Sequence, residues 1–223
     1  MTKVGRLIVI DGTDWSGKKT QIALLEQHLK DQWYDVEKID FPQYGHKSAG
    51  LVEDYLNGKY GQADEVTPYQ GSLFYALDRY EASFTMKKWL AEGKVVLCDR
   101  YVSANMWHQA WKIEDIHERD VFLDWVQDLE YNILNIPKPD FNIFLYVDPE
   151  MSRNLALKVQ KPNMDKAKDI HENSSDHMRK ASEAFLYVSK KYGWKQINCI
   201  LDDKLRWIDD IAQEVLDAVL PIL

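Results

Sequence analysis

Cysteine is scarce: Cys98 and Cys199 are the only two in 223 residues, and neither has neighbours at a metal-ligand spacing. That excludes a disulfide framework and argues against a cysteine zinc site. Each ends an apolar run (VVLC, INC), as a small buried hydrophobe would in a reducing compartment. Basic charge is also in short supply. There are 28 Lys and Arg against 36 Asp and Glu, a net charge of −8 with pI near 5.3, which argues against a nucleic-acid-binding face. No run of 18 apolar residues occurs, so no membrane span is expected. The apolar stretch in MTKVGRLIVIDG is too short for a secretory signal. A cytoplasmic chain that contacts neither membrane nor nucleic acid is expected, and any anionic ligand must be met by local cations.

What is present is an alternation. Short β-like runs at Arg6 to Asp11, Val36 to Phe41, Val95 to Asp99, Phe141 to Val147 and Lys195 to Cys199 are separated by longer amphipathic segments. This pattern predicts an α/β fold, a parallel sheet with helices on both faces. A single domain over 1–223 is expected, since that length can build one substantial core and no linker or repeat interrupts it. Thr67-Pro68 reads as a helix start and Gly93 as its end. Glu114 to Asn135 reads as one long helix stopped by IPKPD, and Leu205 to Leu220 as a closing amphipathic helix. Between about 157 and 173 the apolar periodicity fails and Lys158, Lys161, Lys166 and Lys168 gather. By charge alone this is a solvated loop. By position it is equally a lid that would bring cations over a phosphate chain.

The first strand runs into Gly12-Thr13-Asp14-Trp15-Ser16-Gly17-Lys18-Lys19-Thr20 and then a helical pattern. This is close to the phosphate loop GxxxxGK(S/T), whose glycines free backbone N–H groups for phosphate oxygens while the lysine reaches the outer phosphates. Lys19 occupies the position of the Mg²⁺-holding hydroxyl, and Thr20 comes one residue late, about 100° around a helix.

In an open parallel sheet, ligands gather at the carboxyl ends of the strands. Asp99 ends the third strand, where phosphate-loop proteins place a Mg²⁺-holding carboxylate; a turn cap is the plainer reading. Arg100 offers a fork for phosphate or a simple ion pair. Ser103 follows. Asn105, His108 and Gln109 share one helical face, a pocket wall or a solvated surface, with Trp107 and Trp111 expected opposite. Phe41 and Tyr44, in FPQYG, suit a sugar or a base, or merely a turn, and Phe74 and Arg79 lie in the Pro68 to Glu92 helix, where core packing explains most aromatics.

Taken together, DGTDxSGKxT at 11 to 20, FPQYG at 41 to 45, LFYALDR at 73 to 79, DRYVSANMWHQ at 99 to 109, IPKPD at 136 to 140 and KDIHE at 168 to 172 resemble the thymidylate kinase family in order and spacing over nearly the whole chain. The resemblance implies a five-stranded sheet in the order 2-3-1-4-5, a homodimer, and transfer of the γ-phosphoryl group of ATP to dTMP with Mg²⁺. It implies that Phe74 stacks on thymine, Arg79 bonds its carbonyl edge and Asn105 meets a ring nitrogen. Arg100 and Phe41 would meet the acceptor's phosphate and sugar side, Asp14 the sugar hydroxyl and metal region, and His108 the sugar 2′ position. Lys18 would bridge the two phosphates, with Asp14 and Asp99 holding the metal. The family commonly carries glycine or arginine where Trp15 stands. With lysines in place of lid arginines, Lys161 or a neighbour is expected to supply charge. A deoxynucleoside kinase using Asp40 as base and a catalytically silent nucleotide-binding protein are the alternatives.

Overall fold

The computed structural model describes residues 4–62, 64–148, 150–152, 155 and 175–223. The expected lid, with Lys158, Lys161, Lys166, Lys168 and the KDIHE motif, and Arg153 before it, lies outside the described residues.

Five parallel strands form the sheet: β1 Arg6–Gly12, β2 Val36–Asp40, β3 Val95–Asp99, β4 Phe141–Tyr146 and β5 Lys195–Asn198, in the order β2-β3-β1-β4-β5. The expected order 2-3-1-4-5 is the observed one. The inner strands β1, β3 and β4 are largely apolar because both sheet faces are covered there, while the edge strands β2 and β5 mix apolar with exposed polar residues. Successive residues of β1 serve opposite cores. Leu7 and Val9 pack with Val96, Cys98, Phe144 and Phe185, whereas Ile8 and Ile10 pack with Leu25, Leu97, Leu145 and Val215. Cys98 and Cys199 are buried free thiols in these two separate cores.

Helix α1 (Lys18–Asp31) leaves β1 directly. Helix α2 (Gly50–Leu56) follows β2, and α3 (Pro68–Ala91) leads to β3. Thr67 and Gln70 form a reciprocal capping box at the start of α3, and Gly93 follows its end at φ 79°. Helix α4 (Val102–Ala110) comes next, then α5 (Ile116–Gln127), capped by the Asp115 carboxylate on the N–H groups of His117 and Glu118. The single helix expected over 114–135 is thus shorter and ends in a π-helical turn, Asp128–Ile133. Helices α6 (Ser175–Tyr192) and α7 (Ile208–Val219) complete the layers.

The closing helix begins later than its apolar pattern suggests, because Leu205 belongs to a hairpin. Strands β6 (Ile200–Leu201) and β7 (Lys204–Leu205) pair antiparallel across Asp202-Asp203, at φ 49° and 57°. Positive φ at both central residues marks a type I′ turn, which Asn-Gly would have advertised and Asp-Asp does not. The sheet places β1 between β3 and β4, so the carboxyl ends of these three strands meet where the chain's connections diverge.

Candidate active site

The loop after β1 is shaped by close packing. A Cβ on Gly12 would come within 2.7 Å of both the Leu145 carbonyl oxygen and Ser16 Oγ, so only glycine fits. Gly17 precedes α1 at φ 74°, again glycine territory, and no side chain caps that helix. The first-turn N–H groups of α1 are therefore available to an anion. Thr13 Oγ1 is bound to both the N–H and the C=O of Val147, and Ser152 Oγ donates to the Asp14 carbonyl at 2.6 Å, which pins the loop to the end of β4. Trp15 sits at φ 64°, exposed. That left-handed backbone gives glycine a physical reason to be common at this position. Ser16 is buried, while Lys19 and Thr20 are exposed.

Lys18 Nζ reaches Asp99 Oδ1 at 2.7 Å. Burial pushes the Lys18 pKa down and the Arg100 charge adds to that, while Asp11 and Asp99 pull it up. Arg100 follows Asp99 in a left-handed conformation, φ 62°, strain of the kind that concentrates at functional sites. Its backbone N–H bonds the Ile10 carbonyl, and its guanidinium lies 3.7 Å from Asp14 Oδ1. Burial opposes the Arg100 charge, but the carboxylates of Asp11, Asp14 and Asp99 outweigh that and raise its pKa. Arg100 Nε is buried with no partner among the described residues, a donor that an incoming acceptor would satisfy.

Asp11 is a residue that the strand reading passed over. It is 1% exposed, and its carboxylate accepts from Gly12 N–H, Ser103 Oγ at 3.2 Å and Trp107 Nε1 at 3.0 Å. Ser103 thus ties α4 to the phosphate loop. Trp107 does the same and stacks on His108 with ring centroids 3.5 Å apart, so the expected separation of the tryptophan from the polar face does not hold. Asn105 and Gln109 are 3% and 1% exposed, a buried wall and not a solvated face. Gly71 lets α3 and α4 close, since its Cβ would lie 2.9 Å from Gln109 Oε1.

Arg79 is 1% exposed and grips Glu130 with Nε and Nη2, both at 2.6 Å. Burial works against this guanidinium, and Glu130 more than compensates, raising its pKa. Phe74 packs on Tyr55 and Tyr60, at 5.7 and 5.2 Å between centroids. Tyr75, four residues before Arg79, shares its helical face more closely than Phe74 does, a signal that spacing alone carried. Phe41 is buried against Tyr101, and Tyr44 is exposed beside it in the chain.

Lys112, just beyond the end of α4, donates to Tyr55 Oη and the Val66 carbonyl, and burial pushes its pKa down to about 8. A folded pKa below the ordinary 10.5 means that the unfolded chain binds more protons between those values, so stability from this group rises with pH across that window. Denaturant titrations of the parent and Lys112→Met are expected to show the parent gaining on the variant from about pH 8 to 10.5. A pH-independent difference would contradict the assignment.

Asp99 and Asp14 are the two carboxylates that contact Lys18 and Arg100 beside the phosphate loop, whereas that of Asp11 is taken up by Gly12, Ser103 and Trp107. Among the described residues no cluster of three metal-ligating side chains occurs. Two carboxylates fit Mg²⁺, which typically takes one or two from protein and completes its octahedron with phosphates and waters.

Comparison with known proteins agrees with this geometry. The family described as thymidylate kinase matches residues 10–200. The thymidylate kinase of Mycobacterium tuberculosis is 26% identical over 84% of this chain and 87% of its own length, and that of Plasmodium falciparum 24% identical over 99% and 92%. The solved thymidylate kinase structure from Candida albicans superposes with a TM-score of 0.71 at 22% identity, covering 96% of this chain and 91% of that one. With the glycine-shaped loop, the five-stranded order and a family match over most of its length, this chain belongs to the thymidylate kinase family.

Proposed function

We propose that the protein transfers the γ-phosphoryl group of ATP to the phosphate of dTMP, giving dTDP and ADP. The observation that carries this reading is the convergence of Lys18, Arg100 and the uncapped start of α1 on one edge of the cleft, with buried Arg79 and Asn105 on α3 and α4 behind it. An acceptor phosphate oxygen forms the new P–O bond, the γ-phosphorus to bridging-oxygen bond breaks, and its electron pair leaves on ADP. No general base is needed, because the acceptor phosphate is already ionised at neutral pH. Catalysis then consists of alignment and charge neutralisation. Amides of residues 12–20 hold the donor phosphates, Lys18 bridges donor and acceptor, and Arg100 holds the acceptor phosphate. Asp14 and Asp99 would hold Mg²⁺, which when bound neutralises charge on the phosphate chain. Phe41, Tyr44, Phe74, His108 and Gln109 line the acceptor side, and a lid lysine such as Lys161 completes the cation set over ATP.

Arg100→Ala should lower kcat/KM for dTMP by about 10²–10³, the usual cost of a charge-stabilising donor. Asp40→Ala, whose exposed carboxylate would be the base of a nucleoside kinase, should change it by less than about threefold, because an acceptor phosphate that is already ionised needs no base. A rate lost on Asp40→Ala and kept on Arg100→Ala would reverse the assignment.

The working form in this reading is a cytoplasmic homodimer. Tyr69, Leu73, Leu77, Tyr80 and Phe84 recur at three- and four-residue spacing along α3 and are all exposed, Phe84 by 62%. Such a stripe on one helix suits a two-fold contact with its own copy. Phe84→Glu should convert the dimer to monomer by sedimentation, and an unchanged mass would place the interface elsewhere.

A further inference from the structure

Glu130 has no part in phosphate handling, yet it is 0% exposed in the interior between α3 and α4. It sits in the π-helical turn Asp128–Ile133, an irregularity found disproportionately at functional sites. Its two oxygens organise two side chains. Oε2 and Oε1 accept from Arg79 Nε and Nη2, and Oε1 also accepts from Asn105 Nδ2 at 3.1 Å. Asn105 Nδ2 has a second acceptor, the Ser72 carbonyl, at 3.3 Å.

Both partners of that amide nitrogen are acceptors only, so the amide has one sensible orientation. Asn105 Oδ1 is then turned away from Glu130, and it is buried with no partner among the described residues; Ser72 Oγ and Gln109 Oε1 share that condition. Buried acceptors without partners call for a donor from elsewhere. On the other side of Glu130, Arg79 has Nε and Nη2 occupied, while Nη1 makes only a 3.4 Å contact to the Tyr101 carbonyl and keeps a further N–H.

We propose that Glu130 is the positioning residue that sets base specificity, by fixing Arg79 as a donor and Asn105 as an acceptor side by side. That pair complements the imide edge of thymine, a carbonyl next to an N3–H. Against cytosine the same pair fails twice, since an amino group faces the arginine and an unprotonated N3 faces Oδ1. The inference rests on dTMP as acceptor. A carboxylate is required because it accepts from both partners. A glutamine has one acceptor and adds a donor, which sets it against either Arg79 or the present orientation of Asn105.

The test compares kcat/KM for dTMP and 5-methyl-dCMP, which keeps the methyl group and alters only the imide edge. The parent enzyme should prefer dTMP by at least about 100-fold, the range of one to two well-made base contacts. Glu130→Gln should shrink that ratio at least fivefold, whatever happens to the absolute rates, which a merely structural role would depress equally for both substrates. A smaller change in the ratio overturns the inference while leaving the dTMP reading intact. If Glu130→Gln does not fold, Glu130→Asp decides by the same criterion, since a carboxylate one methylene shorter cannot reach both partners. Parent enzyme that turns over dTMP and 5-methyl-dCMP equally also overturns the inference, and parent enzyme inactive on dTMP overturns the inference together with the function on which it rests.

Discussion

Lys18→Met is expected to reduce kcat by about 10³-fold with little change in thermal stability, because in the proposed mechanism this cation acts on charge that develops during transfer. The lysine is well placed for that work. Its side chain is 13% exposed, next to Asp99 at 2.7 Å, at the start of a helix whose amides no side chain caps. Burial and Arg100 make the charge costly, and Asp11 and Asp99 hold it in place. A cation kept in a partly dry site at such cost interacts more strongly with a transferring phosphoryl group than one in water. Steady-state rates paired with a thermal melt separate the two effects. A large fall in melting temperature without a matching loss of rate would make Lys18 a structural partner of Asp99 and nothing more.

Arg79→Met should strike stability in addition to base recognition. It leaves the Glu130 carboxyl fully enclosed and stripped of its two 2.6 Å bonds, a change that costs about 3–5 kcal/mol. For a chain of this size the melting temperature should fall by roughly 6–20 °C. The exposed pair Arg179–Glu183 has an equally short contact, yet its loss should cost less than about 1 kcal/mol, because solvent screens both partners. Combining Arg79→Met with Glu130→Leu should restore much of the lost stability by removing the buried carboxyl left without its partner. Differential scanning calorimetry of the two single variants and the double variant measures the coupling directly. Additive effects would mean that the two side chains do not act as a unit.

Much of the fold was legible along the chain because the inner strands β1, β3 and β4 are covered on both faces and read as largely apolar runs, whereas the edge strands β2 (VEKID) and β5 (KQIN) carry exposed polar residues. Gly12 and Gly17 announced a phosphate loop because close packing and positive φ leave no other residue at those points. Thr67-Pro68 announced α3 by local hydrogen bonding. What stayed hidden depends on partners distant in sequence. Glu130 lies 51 residues from Arg79, in what reads as ordinary helix, and nothing local shows that its carboxylate turns inward. Asp11 reads as the end of a strand, and only the folded chain brings it Trp107, 96 residues away. The hairpin at 200–205 was masked because Asp202 and Asp203 take the left-handed backbone that glycine or asparagine would have signalled. Trp15 shows the converse: its side chain gives no hint of a position whose backbone suits glycine.

The most direct test of the account is a coupled ADP-release assay with ATP and Mg²⁺, run in parallel on dTMP, dUMP, dCMP and thymidine. The geometry predicts turnover of dTMP, some turnover of dUMP because uracil shares the imide edge, little with dCMP, and none with thymidine, which lacks the phosphate that Arg100 would hold. Turnover of thymidine in place of dTMP, or no ADP with any of the four, would contradict it.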